Sequence, residues 1–421
     1  MKKTIAIISP DAVNLPLKAS APKFIREGDT EYPISDKCQK VAAPGKRAWE
    51  MATFLAKDPN LTVHLYIPDL NFPGLENIET DKMQFEVKKY NYKSALWDWS
   101  EELDRKLKQY NFVVIQTTAG VGFKNCATLP RSVNVIVDGW IPIMAELPVA
   151  LLHYHKLKRQ FIWDRFMNHY NDLLMRANCV LYANDRQRYY YEGQFFSIGK
   201  LGWKAFKFSP LLKVPYGVSE NKIVGKVQST NKLRILHWGS LYPWYKLDTL
   251  IEAVSTMPNV ELDFVGIKHP RYAKLYESTF KEYFSNIDSY VNINIVPSYT
   301  TDKEELFSNY DCACNLAQPY LENKFAHRVR ILDMMSYGLP VLTNSDNVFF
   351  REFDNISPLL YAVEPDHIRE ELEHIAADKS ILNVDMNKVK EFQTECSWDK
   401  SLSPLNNYIN QFSKDEVATH E

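Results

Sequence analysis

The stretch 233–254, LRILHWGSLYPWYKLDTLIEAV, reads as one structural unit: an apolar strand, a loop opening at Gly239, and a helix. Strand, glycine loop and helix in that order are the building block of a parallel sheet with crossover helices. The block recurs downstream, where VELDFVG (260–266), VNINIVP (291–297), YDCACNLA (310–317), PVLTN (340–344) and PLLYAV (358–363) predict strands separated by helical segments. Upstream, TIAIIS (4–9), LTVHLYI (61–67), NFVVIQTT (111–118), SVNVIVD (132–138) and CVLYAN (179–184) predict strands, with a helix from about Arg47 to Lys57. The fold class is therefore α/β.

Between the two series lies LLKVPYGVSENKIVGKVQSTNK (211–232), where Pro215 and Gly217 punctuate the chain and the following residues are polar and poorly periodic. This places one Rossmann-like domain at 1–215 and a second at 216–395. A terminal helix at 396–421 is free to pack on either and is expected to cross back to the first. A chain of 421 residues exceeds the size at which single cores stop growing, so two domains of roughly 200 residues agree with its length. In open α/β sheets ligands sit at the carboxyl ends of the strands, so two such domains facing each other would hold a ligand in the cleft between them.

Composition narrows the function. Lys and Arg number 50 against 52 Asp and Glu, and a net charge of −2 gives no whole-protein field to recruit nucleic acid. Residues 151–213 depart from this balance, with 11 Lys or Arg against 4 Asp or Glu. Two readings are open there: a solvated helical face, or contact with an anionic acceptor or membrane surface. The opening MKKTIAIISPDA fails as a secretory signal because its apolar run is short and Ser9-Pro10-Asp11 ends it. Cys38, Cys126, Cys179, Cys312, Cys314 and Cys396 include no CxxC pair, which points to a reducing, cytoplasmic location. No apolar stretch is long enough to span a bilayer, so any membrane contact would be peripheral, at the inner face. The last few residues read as disordered.

Three stretches carry chemistry. In VAAPGKRAWEMATFLA (41–56), Pro44 and Gly45 precede a helix whose N-terminus, with Lys46 and Arg47, suits an anion; an ordinary loop-to-helix entry is the competing reading. In 233–254, the backbone of Ser240 after Gly239 can approach a diphosphate, and Lys246 lies in the loop to meet its charge. The third is QPYLENKFAHRVRILDMMSYGLPVLTN (318–344), where His327, Arg328 and Arg330 fall at a helix's first turn and oppose its dipole. A bound diphosphate removes that conflict. Asp333, one turn further in, can accept hydrogen bonds from both ribose hydroxyls, or else form a surface ion pair with Arg330. GxGxxG and GxxxxGK[ST] are both absent, which removes the usual support for hydride transfer and ATP hydrolysis. DxD, HExxH and paired His or Cys spacings are absent too, and His153 and His155 read as lid or core residues, so no metal site is expected.

PGKRAWEMA, VIVDGWIP, VLYANDRQRYYYEG, VPYGV, HWGSLYPWYKLDTLIEAV, FAHRVRILDMMSYGLPV and the closing SWD helix, in this order and spacing, resemble retaining glycosyltransferases of family 4, a bacterial polysaccharide and O-antigen subgroup with the GT-B fold. The resemblance spans nearly the whole chain. It implies a metal-independent transferase that takes a sugar, with retention, from a UDP- or GDP-linked donor to a glycan, lipid-linked or small-molecule acceptor. No cofactor is implied. Asp333 stands five residues before the glycine of the GxPV turn, where the family carries the glutamate that holds the donor ribose. The family's sugar-binding glutamate falls on Phe325, and Glu322 is the nearest carboxylate. Ser240 replaces the usual diphosphate-binding arginine, Lys246 is a near match for its partner, and Arg328 or Arg330 supplies what is missing. Asp138 resembles a first-domain position facing the reaction centre, or else caps the following turn.

The acceptor is then expected on the first domain, and LLHYHKLKRQFIWDRF (151–166) combines apolar and basic residues in a helix suited to a membrane-borne acceptor. Two other functions fit the same architecture: a sugar-nucleotide epimerase or phosphorylase, and a catalytically silent nucleotide-sugar-binding subunit. Replacing Arg328 or Arg330 by alanine is expected to weaken nucleoside diphosphate binding and leave folding nearly intact.

Overall fold

In the computed structural model of the chain, each half of the sequence builds its own parallel sheet. The structure describes residues 2–13, 42–69, 78–95, 99–118, 120–152, 154–201, 210–225, 230–266, 283–296, 302–353 and 359–412, with positions 15, 16, 18, 20, 24–27, 30–33 and 281. Cys38, His153 and the terminal residues 413–421 lie outside the described residues.

The first unit comprises Met1–Ile143, His155–Gly217 and Trp398–Glu421. Its strands are β1 (Lys3–Ile8), a small antiparallel hairpin of β2 (Phe24–Glu27) and β3 (Thr30–Pro33), β4 (Leu61–Pro68), β5 (Glu86–Tyr90), β6 (Phe112–Gln116), β7 (Asn134–Asp138), β8 (Cys179–Tyr182) and β9 (Leu211–Lys213). Seven of them form a parallel sheet in the order β5-β4-β1-β6-β7-β8-β9. β6, β7 and β8 are buried at every position. A sheet covered on both faces needs such continuous apolar runs, which is why the sequence reads there as unbroken strand.

The second unit comprises Met144–Tyr154 and Val218–Ser397. Its strands β10 (Leu233–Trp238), β11 (Val260–Val265), β12 (Ile293–Val296), β13 (Cys312–Asn315), β14 (Val341–Thr343) and β15 (Leu360–Ala362) form a parallel sheet in the order β12-β11-β10-β13-β14-β15. Ile235, Leu262 and Phe264 from the sheet pack with Leu250 and Val254 of the helix Asp248–Ser255 in one buried cluster. The chain runs from β10 outward to β12 and then returns to β10's other side with β13. Strand order reverses between β10 and β13, and that reversal opens a crevice at the strands' carboxyl ends.

The joint between the units falls at Gly217–Val218, two residues beyond the punctuation at Pro215. Gly217 is required by close approach: a Cβ there would stand 2.5 Å from the Trp398 ring. The helix Trp398–Gln411 belongs with the first unit. One excursion departs from an unbroken first domain at 1–215: Met144–Tyr154 belongs with the second unit. The first-half helix also begins earlier than its apolar period suggests, spanning Ala43–Leu55, because Pro44 is well accommodated in a helix's first turn. No helix among the described residues is long and apolar enough to cross a membrane.

Candidate functional site

In the second unit, β10 ends at Trp238 and Gly239 follows with φ +97°, a backbone conformation that side chains other than glycine's strain to adopt. Arg330 lies against this glycine. Its Nη2 donates to the Ser240 carbonyl at 3.1 Å, and its guanidinium stands 4.9 Å from the centre of the Tyr245 ring and 6.0 Å from that of Tyr242. Tyr242 in turn stacks on Trp244, with ring centres 4.3 Å apart and planes 7° from parallel. The Nη1 of Arg330 is buried with no hydrogen-bond partner among the described residues. A buried guanidinium N–H without an acceptor is costly, and an anionic oxygen removes the cost.

Arg330 is the second residue of the helix Val329–Ser336, whose first turn holds no acidic side chain and whose N-cap, Arg328, makes no side-chain cap bond. The dipole conflict read from the sequence is therefore present in the structure. Behind Arg330, His237 is fully buried with Nδ1 3.2 Å from the Cys314 carbonyl. Burial and then the positive field of Arg330 drive its imidazole down to about 3, so it is neutral at physiological pH.

The two arginines differ in their surroundings. Arg328 is only 7% exposed, and its Nη2 donates to Glu322 Oε2 at 2.7 Å and to Asn323 Oδ1 at 3.3 Å. It also stands 5.5 Å from the centre of the Tyr245 ring, so both guanidinium groups share one aromatic side chain. Glu322 is 2% exposed; burial raises its carboxyl above the usual range, while Arg328 and then Arg330 pull it back. Arg328 thus anchors a buried ion pair, which corrects the expectation that it can be removed with folding nearly intact.

A residue with no signal in the sequence joins this pair. Glu146, on the helix Ile143–Ala150, is partly buried and interacts electrostatically with Glu322 and Arg328. Burial, then the Glu322 carboxylate, pushes its carboxyl up to about 8 against the pull of Arg328.

Asp333 lies on the same helix as Arg330 but does not pair with it in the structure: its Oδ2 accepts from the Nζ of Lys303. Lys303 also stands 4.8 Å from the centre of the Trp238 ring. Lys246 donates to Asp248 Oδ2 at 2.5 Å and, through its backbone N–H, to the Leu316 carbonyl at 3.1 Å, tying the loop after β10 to the end of β13. The structure therefore brings Gly239, Ser240, Arg330, Arg328 and Glu322 together around Tyr245, with Asp333 one helical turn from Arg330. Trp238 and Tyr245, which lie within 233–254 but to which the sequence assigns no role, and Lys303, from another element, are additions to the predicted set.

The remaining candidates belong to the first unit. Gly45 and Lys46 fall inside the first turns of the helix Ala43–Leu55, and the Lys46 N–H bonds to the Ala42 carbonyl at 3.1 Å. Asp138, at the end of β7, is fully buried with both oxygens on Arg47, at 2.8 Å from Nε and 2.9 Å from Nη2. Arg47 completes its contacts on the Val214 and Pro215 carbonyls, at 2.9 and 2.8 Å. Its charge, offered by the sequence to an anion, is spent inside the fold, and the Asp138 carboxylate bonds to Arg47 instead of capping the next turn. The basic stretch beyond 151 forms the helix Lys156–Arg176, with His155 as its N-cap residue and with Leu157 and Phe161 75% and 63% exposed one turn apart.

No protein-family model matches the chain, and no curated protein sequence matches it. Solved structures do. The chain is similar to sucrose-phosphate synthase from Thermosynechococcus elongatus, at 14% identity over 97% of this chain and 99% of that one, with TM-score 0.61. It is similar to HepE from Anabaena in complex with UDP-glucose, at 12% identity over 97% and 100%, with TM-score 0.58. A third likeness is to WaaG, a glycosyltransferase involved in lipopolysaccharide biosynthesis, at 13% identity over 97% and 100%, with TM-score 0.55. At such identities the likeness is one of fold, and the chain, with its parallel sheets of seven and six strands, has the α/β architecture of the GT-B glycosyltransferases.

Proposed function

We propose that this protein is a retaining, metal-independent glycosyltransferase of the family 4 type that moves a sugar from a UDP- or GDP-linked donor to a glycan, lipid-linked or small-molecule acceptor in surface polysaccharide or glycoconjugate synthesis. One observation carries the reading: Arg330, at a strand-order reversal and a helix N-terminus, holds a buried N–H without a partner among the described residues, against a glycine whose missing side chain lets the guanidinium lie on the backbone. HepE, similar in fold, holds UDP-glucose. In this reading the donor diphosphate takes the Arg330 fork and the backbone after Gly239, with Lys246 adding charge from the loop. Asp333 accepts the ribose hydroxyls and gives up Lys303 to solvent. Glu322, held by Arg328, faces the transferred sugar.

The bond from the anomeric carbon to the diphosphate oxygen breaks, the bond to the acceptor oxygen forms on the same face, and the acceptor's proton leaves with the diphosphate. Negative charge grows on the departing diphosphate while the ring becomes oxocarbenium-like. Fixed cations supply most of the stabilisation that such a state requires. Asp138 enters only through the scaffold it builds with Arg47. The exposed Leu157 and Phe161 among Lys156, Lys158 and Arg159 support peripheral contact with an anionic membrane, which sedimentation with anionic vesicles tests by loss of binding in Leu157→Glu/Phe161→Glu.

A thermal-shift screen against nucleoside diphosphates and sugar nucleotides, followed by incubation with the stabilising donor, tests the whole reading. The expected result is selective stabilisation and slow hydrolysis of the donor without acceptor. Conversion of the donor to its isomer would instead reveal an epimerase, and binding without turnover in any acceptor pool a silent subunit.

A further inference from the structure

One ammonium group in the second unit covers two surfaces at once. The Nζ of Lys303 donates to Asp333 Oδ2 and stands over the Trp238 ring, 4.8 Å from its centre. Lys303 opens the short helix Lys303–Phe307, and Phe307, one turn on, meets the same indole at 5.1 Å with the ring planes 82° apart. Phe307 is buried and is held in turn by the Tyr337 ring at 5.1 Å, so it fixes the plane of Trp238. Trp238 itself is only partly buried, at the end of β10 and next to Gly239. A rigid aromatic face is thus covered by the tip of a flexible side chain that remains 30% exposed.

We propose that Trp238 is the surface on which the donor's nucleobase stacks, and that Lys303 occupies both this surface and the Asp333 carboxylate until the nucleoside displaces it. This rests on the donor reading above. The order of the groups supports it. Arg330 and Asp333 lie one turn apart on the helix Val329–Ser336, and a single ammonium group joins Asp333 to Trp238. Ligands for diphosphate, ribose and base therefore follow one another in the covalent order of a nucleotide. A ribose on Asp333 takes the bond that holds Lys303, and release of the ammonium uncovers the indole beside it. The exchange suits the chemistry of each group. An ammonium is drawn to the negative face of an indole but is also strongly hydrated, so it returns to water readily. A flat heteroaromatic base gains from the same face, and stacking of this kind accepts any base. Trp238 then adds affinity without choosing between uracil and guanine.

Calorimetric titration of the full chain with UDP, GDP, ribose 5-diphosphate and inorganic pyrophosphate tests this, because the series adds the ribose and then the base to the diphosphate. Trp238→Leu is expected to weaken the tighter nucleotide about tenfold and ribose 5-diphosphate by less than about twofold. Trp238→Phe, which keeps a ring, is expected to recover most of the loss. Lys303→Met is expected to tighten nucleotide and ribose 5-diphosphate about threefold relative to pyrophosphate, since no ion pair has to be broken. In an Asp333→Ala background that gain is expected to vanish. Equal losses for nucleotide and ribose 5-diphosphate in Trp238→Leu, or no loss for either, would overturn the stacking. A Lys303→Met gain that is absent, or that persists in full without Asp333, would overturn the displacement. If Trp238→Leu does not fold, tryptophan fluorescence of Trp238→Phe decides: quenching by saturating nucleotide is expected to be largely lost, and quenching retained in full would overturn the stacking. A wild type that binds neither nucleotide nor pyrophosphate fails the donor reading and the proposal with it, whereas one that binds nucleotide no better than ribose 5-diphosphate overturns the proposal alone.

Discussion

A Cβ added to Gly239 would stand 3.1 Å from the Cζ of Arg330, closer than the two atoms settle without movement. The glycine therefore does two things: it takes a positive φ that closes β10, and it lets the guanidinium lie flat against the backbone. Gly239→Ala is expected to cost about 1–3 kcal/mol of stability from the backbone alone. Displacing Arg330 should also weaken nucleoside diphosphate binding. Thermal melting with and without nucleotide separates the two effects, and a variant with normal affinity would remove Gly239 from the site.

Arg328 and Arg330, two residues apart, should fail in different ways. Arg328→Ala leaves Glu322 buried without its cation and is expected to destabilise the second unit by about 3–5 kcal/mol. Arg330→Ala removes a partly buried side chain whose one hydrogen bond among the described residues goes to a carbonyl, so stability should change by no more than about 1 kcal/mol. Nucleotide affinity should fall by about tenfold or more, since a charge-assisted hydrogen bond is lost. Urea unfolding of both variants checks the contrast; equal stabilities would contradict it.

Arg47 and Asp138 form a fully buried, bidentate pair that also holds the chain at Val214 and Pro215. Breaking such a pair from one side costs about 3–5 kcal/mol. Arg47→Ala and Asp138→Ala are each expected to lower the melting temperature strongly. A double-mutant cycle should show coupling, because either single variant leaves a buried charge behind.

Protonation supplies another check. Glu146 and Glu322 both have carboxyls raised in the folded state, so the folded protein binds more protons than the unfolded one above the ordinary carboxylate range. The Glu146 contribution is fully present below the unfolded pKa of about 4.5 and is lost as the pH rises through about 8, and that of Glu322 is lost in the same direction. Stability measured from pH 5 to 9 should therefore fall, and Glu146→Gln should flatten the decline. An identical decline in the variant would place the titrating group elsewhere.

The fold was largely legible because its strands are buried on both faces and read as unbroken apolar runs, β7 and β13 most plainly. Of the four strands that escaped notice, β5 and β9 lie at the two edges of the first sheet, where one side is unpaired and the sequence need not be apolar throughout, and β2 and β3 form the separate hairpin. Arg330 could be picked out because a cation at a helix start contradicts local propensity. Lys303 and Glu146 could not, since each reaches the site from another element and nothing near it in sequence breaks a local rule. Arg47 shows the converse error. A basic residue at a helix start suggested an anion site, but its partner, 91 residues away, was a buried carboxylate brought there by the sheet.

Calorimetric titration of the wild type and Asp333→Ala with UDP and GDP weighs the donor assignment. One of the two nucleotides should bind the wild type saturably at one site per chain. Asp333→Ala should bind it roughly tenfold to hundredfold more weakly, the loss of carboxylate hydrogen bonds worth about 1.5–3 kcal/mol to the ribose. Saturable binding undiminished in Asp333→Ala, or no binding of either nucleotide by the wild type, would contradict it.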